Sequence, residues 1–118
     1  MSKKIAFMGT PTISGQILKS LYQNGFDIEV VYTQPPVASN RGHRLNKSPV
    51  HIMAEILNIP VRTPIVLDNT EEKNFLHKQN ISLGIVVAYG QILKKDILEI
   101  PKKGWINIHY SLLPKFRG

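Results

Sequence analysis

The sequence predicts an α/β fold: an open, mostly parallel sheet with helices on both faces. Three observations carry this expectation. Short apolar runs recur at 4–8, 28–33, 82–88 and 105–109, and segments with helical apolar spacing lie between them. The strand-helix alternation repeats over about 20 to 30 residues, a length that suits crossovers between parallel strands rather than hairpins. The run "SLGIVVA" at 82–88 is apolar after Ser82 and rich in β-branched residues, as expected of a strand covered on both faces.

The elements follow in order. Residues 4–8 form a strand ending at Gly9-Thr10-Pro11, where Thr10 is placed to cap a helix and Pro11 suits its first turn. Ile13, Ile17, Leu18, Leu21 and Tyr22 recur at helical spacing, and Gly25 stops that helix. A second strand at 28–33 runs into "QPPVASNRGHRLNKS", residues 34–48, which has turn residues and no hydrophobic period. A loop of that length inside one domain is commonly functional or disordered. Ser48-Pro49 then opens a helix with Val50, Met53, Ala54 and Leu57 on one face, stopped before Pro60 and followed by a short strand at Val61. A weaker helix is expected over 71–79, the buried strand over 82–88, another short helix over 91–98, and a last strand over 105–109.

Composition bounds the function. The chain has 118 residues, enough for about one domain, with 42% hydrophobic and 19% charged residues, which excludes a disordered polyampholyte. Fifteen Lys and Arg against eight Asp and Glu give a net charge of +7, which makes a phosphate-bearing partner a candidate. No cysteine is present, so disulfides and thiolate zinc sites are excluded, in keeping with a reducing cytoplasm. No apolar run approaches the roughly 20 residues that span a bilayer, so no membrane partner is expected.

In parallel sheets ligands bind beyond the carboxyl ends of the strands. The unusual segments 34–48, 88–90 and 107–114 each follow a strand and so gather on that edge. Residues two apart on a strand point the same way, so Asn107 and His109 share a face while Ile106 and Ile108 take the other. Imidazole exchanges a proton near neutrality, with an ordinary pKa of about 6.5, and a carboxamide N–H can donate to a developing negative charge. The pair therefore combines a proton handler with an oxyanion donor. The alternative is a turn-capping Asn beside a strand-end His. Arg41, Arg44 and Lys47, with His43, cluster on the long loop, either to meet phosphates or as solvated surface charge.

The closing stretch "NIHYSLLPKFRG", residues 107–118, resembles the Asn-x-His-x-Ser-Leu-Leu-Pro-x-x-Arg-Gly signature of the 10-formyltetrahydrofolate-dependent formyltransferases. "FMGTP", "YTQPP", "NRGHRLNKSPV" and "VVAYGQILKKDILEIPKKGWINIH" extend the resemblance along the whole chain, toward the branch that formylates methionyl-tRNA at translation initiation. The resemblance implies that His109 is the general acid/base and that Asn107 holds the formyl oxygen. It implies that Ser111, Leu112, Leu113 and Pro114 bind tetrahydrofolate, that Ala88, Tyr89 and Gly90 lie along the pterin pocket, and that Arg41 and Arg44 meet the acceptor end of initiator methionyl-tRNA. The formyl donor would be 10-formyltetrahydrofolate, in a nitrogen-to-nitrogen transfer that needs no metal.

Two local departures stand out: Pro36-Val37-Ala38 replaces the family's usual Asp-Arg-Pro, and Tyr110 follows the histidine where a small residue is common. The family also has an aspartate downstream of Arg-Gly and a carboxyl-terminal tRNA-binding domain, so residues 1–118 are expected to be the amino-terminal portion of the catalytic domain, a truncated form of the formyltransferase fold. Competing expectations are a formyltransferase acting on a purine-pathway or nucleotide-sugar amine, and a noncatalytic folate- or RNA-binding remnant. A dinucleotide-binding domain is disfavoured, because "GTPTIS" is not a G-x-G-x-x-G turn and the second strand ends without an acidic residue. Lacking the downstream carboxylate that would orient the imidazole, this polypeptide is expected to show little or no turnover in a formylation assay; turnover near that of a complete enzyme would contradict the expectation.

Overall fold

The computed structural model describes residues 3–39 and 44–109. The elements are β1 (Lys4–Gly9), α1 (Thr12–Gln23), β2 (Asp27–Tyr32), β3 (Val37–Ala38), β4 (Leu45–Asn46), α2 (Pro49–Ile56), β5 (Val61–Arg62), α3 (Thr70–Lys78), β6 (Leu83–Val87), α4 (Lys95–Leu98) and β7 (Trp105–Asn107). Five strands form one sheet in the order β5-β2-β1-β6-β7, and all its pairings are parallel. The predicted fold class is therefore observed. No helix among the described residues is long and apolar enough to cross a membrane.

Side-chain alternation divides the core between the two faces. Ile5, Phe7, Ile85 and Val87 point to one side, where Leu18 of α1 and Val50 and Ala54 of α2 cover them. Ala6, Met8, Val30 and Tyr32 point to the other, under Leu76 of α3 and Ile97 of α4. A register shift between Ile5 and Ala6 pairs them with Ile28 and Val30, leaving Glu29 as an extra residue on β2. That bulge lets Ile28 and Val31 share the first face although they are three apart.

Caps set the helix ends. Ser48 Oγ accepts from His51 N at 3.0 Å, as its position before Pro49 predicts. The expected cap at Thr10 is not made. Pro11 holds the N-cap position without a side-chain hydrogen bond, and Thr10 Oγ1 instead donates to Tyr89 O at 2.7 Å. A long-range carbonyl across the sheet edge has claimed the hydroxyl. The predicted helix over 91–98 is shorter, with only Lys95–Leu98 helical, because Gln91 is tied by its side chain to neighbouring loops. The long loop 34–48 also holds structure that its sequence does not announce, the antiparallel pair β3–β4.

On the second face a buried charge is fully engaged. Glu72, almost completely buried, accepts from Tyr32 Oη and Arg62 Nε at Oε1, both at 2.7 Å, and from Arg62 Nη2 at Oε2, at 3.2 Å. Arg62 also lies 3.9 Å above the Phe75 ring. Burial, with help from the Glu72 carboxylate, pushes the Tyr32 phenol well above its ordinary pKa, so it remains a donor. The network fastens β5 and β2 to α3.

β7 lies against β6 through a close contact. The Trp105 indole covers Gly84, where any added Cβ would collide with its ring, and Trp105 Nε1 donates to Ile97 O at 3.2 Å. Gly84→Ala is expected to displace the indole and destabilise the fold by about 1–3 kcal/mol, read from urea unfolding monitored at this single tryptophan; an unchanged midpoint would show that the ring is free to move.

Candidate functional site

The strand order dictates where the site forms. From β1 the chain builds outward through β2 to β5, then returns to place β6 on the other side of β1 and β7 beyond it. The reversal falls between β1 and β6, where Thr10 and Tyr89 are hydrogen-bonded and hold the two exits together, so the cavities open one strand over, along the exits of β6 and β7. Gly9 pairs with Val87, so Thr10 and Ala88 leave the sheet side by side, and Val86 pairs with Asn107 one strand further on. Ser14 Oγ donates to Val87 O, tying the first turn of α1 to the same point.

A cleft of about 390 Å³ opens beside it, at the carboxyl ends of β6 and β7, lined by Val86, Ala88, Tyr89, Asn107, Ile108 and His109. Asn107 and His109, singled out from the sequence, thus line one cavity, and both are exposed. β7 ends at Asn107, although Ile108 N still donates to Val86 O at 2.9 Å and carries the pairing one step further. A second pocket, of about 400 Å³, shares Val86 and Asn107 with the first and is otherwise walled mainly by Ile92, Leu93, Leu98 and Trp105. Asn107 borders both cavities, whose walls are similarly mixed in polarity, with Gln91 also lining the second.

The segment after β6 is held in an unusual shape. Ala88 has φ 52° and Gly90 φ 105°, both in the left-handed region, and a non-glycine there costs on the order of 1–3 kcal/mol. Ala88 and Tyr89 line the first cleft, whereas Gly90 is not among its lining residues and lies against Gln34. The Tyr89 ring is buried in the second core cluster, and burial raises its phenol pKa.

Sequence reasoning missed the side chains that fix this turn. Thr10 Oγ1 donates to Tyr89 O at 2.7 Å, Gln34 Nε2 to Gly90 O at 3.3 Å, and Gln91 Nε2 to Gln34 Oε1 at 2.9 Å. Gln34 and Gln91 are 57 residues apart, so no local pattern joins them. Thr33 Oγ1 and Ser48 Oγ, 2.6 Å apart, close the two ends of the long loop.

On that loop Arg44 is exposed beside β4. Lys47 is not a free cation as the basic cluster suggests: its Nζ donates to Glu55 Oε2 at 2.7 Å. Arg41, Ser111, Leu112, Leu113 and Pro114 lie outside the described residues, as do His43 and Tyr110. Among the described residues no group of three or more His, Cys, Asp or Glu could hold a metal ion.

The formyl transferase family profile matches residues 3–118. The chain belongs to the formyl transferase family. It is 56% identical over 119 residues to the methionyl-tRNA formyltransferase of Pelagibacter ubique, covering 100% of this chain and 38% of that relative. It is 47% identical over 115 residues to the enzyme of the same name from Caulobacter vibrioides, covering 98% of this chain and 37% of that one. The chain therefore spans about 38% of the length of the curated relatives it matches. Glycinamide ribonucleotide transformylase 1 from Geobacillus kaustophilus superposes with a TM-score of 0.67 at 18% identity, over 100% of this chain and 63% of that one. Phosphoribosylglycinamide formyltransferase from Streptococcus pneumoniae gives 0.65 at 19% identity, over 98% and 61%. At such identities the likeness establishes the shared formyltransferase fold.

The strained turn yields a stability test. Ala88→Val, a β-branched residue at positive φ, is expected to cost at least about 1 kcal/mol in urea unfolding, whereas Ala88→Gly is expected to be neutral or slightly stabilising. Equal stability of the two variants would contradict the left-handed conformation.

Proposed function

We propose that this chain carries the formyl-donor side of a formyl-transfer site, within a protein that moves a formyl group from 10-formyltetrahydrofolate to the amino group of methionyl-tRNA. The observation that carries the reading is that Asn107 and His109 line a single cleft at the carboxyl ends of β6 and β7. The names of the relatives at 47–56% identity support the choice of acceptor. Residues 1–118 would be the amino-terminal portion of the catalytic domain.

In this reading the pterin occupies the second pocket, beside Trp105 and Leu93 and next to the 88–90 turn rather than along it as the sequence suggests, and the formyl carbon on N10 faces the Asn107–His109 cleft. The acceptor amine attacks that carbon, forming a C–N bond and a tetrahedral oxyanion. The Asn107 carboxamide donates to the oxyanion, a type of contact worth roughly 2.7–4 kcal/mol in the transition state. His109 takes the proton released by the amine and returns it to N10 as the C–N10 bond breaks, leaving tetrahydrofolate and the formylated aminoacyl-tRNA. The volume of each pocket falls within the usual range of small-ligand sites. Exposed Arg44, and Arg41 beyond the described residues, would meet acceptor-stem phosphates.

Trp105 is the only tryptophan and walls the second pocket, so its fluorescence should report donor binding. Saturable quenching by tetrahydrofolate and by 10-formyltetrahydrofolate is expected, with Asn107→Ala weakening the formylated ligand several-fold more than the unformylated one. Absence of quenching in the folded chain, or equal weakening of both ligands, contradicts the assignment. Competition by a glycinamide nucleotide but not by methionyl-tRNA would instead favour a purine-pathway acceptor.

A further inference from the structure

We propose that Gln34 and Gln91 are positioning residues for the reaction, two joined carboxamides that hold the turn at 88–90 in the shape that walls the Asn107–His109 cleft and couple that turn to the root of the basic loop. The identity of the ligand rests on the formyl-transfer reading above; the clasp itself rests on geometry.

The hydrogen bonds form a directed chain. Leu67 N donates to Gln91 Oε1 at 2.7 Å, and Gln91 Nε2 donates to Pro64 O at 3.0 Å and to Gln34 Oε1 at 2.9 Å. Gln34 Nε2 then donates to Gly90 O at 3.3 Å. Each side chain must accept at one end and donate at the other, at fixed spacing and without charge, which a carboxamide does and a carboxylate does not. The chain links three segments distant in sequence: the stretch after β5, the exit of β2 and the exit of β6.

Several features point to site shape rather than packing. Neither glutamine belongs to a core cluster, and Ala88 and Gly90, which flank the anchored Tyr89, are exposed. The turn has two successive departures into the left-handed region, and such backbone persists only where its surroundings over-determine it. Gly90 also gives the clasp its room, since a Cβ there would meet Gln34 Nε2 at 2.8 Å. Gln34 is followed directly by Pro35-Pro36 and the loop that carries Arg41 and Arg44, so a ligand that draws on this loop pulls on the residue that holds Gly90.

The test is a double-mutant cycle with Gln34→Ala, Gln91→Leu and the pair, read by amide hydrogen exchange across the chain and by the tetrahydrofolate dissociation constant. Each single variant is expected to lose protection at the Leu67 amide, which the chain engages directly, to keep its urea midpoint close to that of the parent, and to bind tetrahydrofolate about tenfold more weakly, with Gln34→Ala the deciding arm because Gln91 also lines the second pocket. The double variant is expected to be no worse than either single one, because both break the same chain. Protection lost throughout β1 and β6, additive effects, or tetrahydrofolate affinity unchanged in variants that do lose protection at Leu67 would overturn the positioning role. If the parent chain itself binds no tetrahydrofolate, the formyl-donor reading fails, and exchange at Leu67 in the same cycle still decides for or against the clasp.

Discussion

The parallel ladder that joins β1 to β6, and β6 to β7, is the constraint on which the site depends. Its register pairs Gly9 with Val87 and Val86 with Asn107, so the exits of three strands emerge on one edge within reach of one another. A slip of one residue would turn Ile85 and Val87 out of one core and Val86 out of the other, exchanging the buried and exposed faces of the strand. Burial on both faces therefore fixes the position of the polar groups at the edge. Gly84 adds to this by letting the Trp105 indole lie flat on β6, which brings β7 and its Asn107 close.

Much of this was legible in the sequence, for identifiable reasons. The 82–88 run is apolar at nearly every position because the strand is covered on both sides, and α1 and α2 show helical spacing because each buries one stripe. Asn107 and His109 are conspicuous because two polar residues two apart, alternating with Ile106 and Ile108, close a strand at the sheet's carboxyl edge. What escaped notice has no local signature. The β3–β4 pair consists of two-residue strands with exposed side chains, so no periodicity marks it. The carboxamide chain and the Tyr32–Glu72–Arg62 network join residues 10 to 57 positions apart. Thr10 was assigned to a local cap because its better partner, the carbonyl of Tyr89, is 79 residues away.

The two faces of the sheet divide the labour. One carries α1 and α2, whose N-terminal ends abut the edge through Ser14 and Ser48. The other carries the charge network and the buried rings of Tyr32 and Tyr89. Between them, Asn107 borders both cavities, the position from which the proposed formyl-transfer reading draws its oxyanion donor. The pairing of Lys47 with Glu55 shifts the loop's available charge toward Arg44 and the segment before it.

A crystal structure of the chain soaked with tetrahydrofolate tests this account most directly. The account predicts ligand density spanning the two pockets that meet at Asn107, with N10 within hydrogen-bonding reach of the carboxamide and His109 facing the same atom. Density confined to the groove between α3 and α4, around Lys73 and His77, with the Asn107 cleft empty, would contradict it.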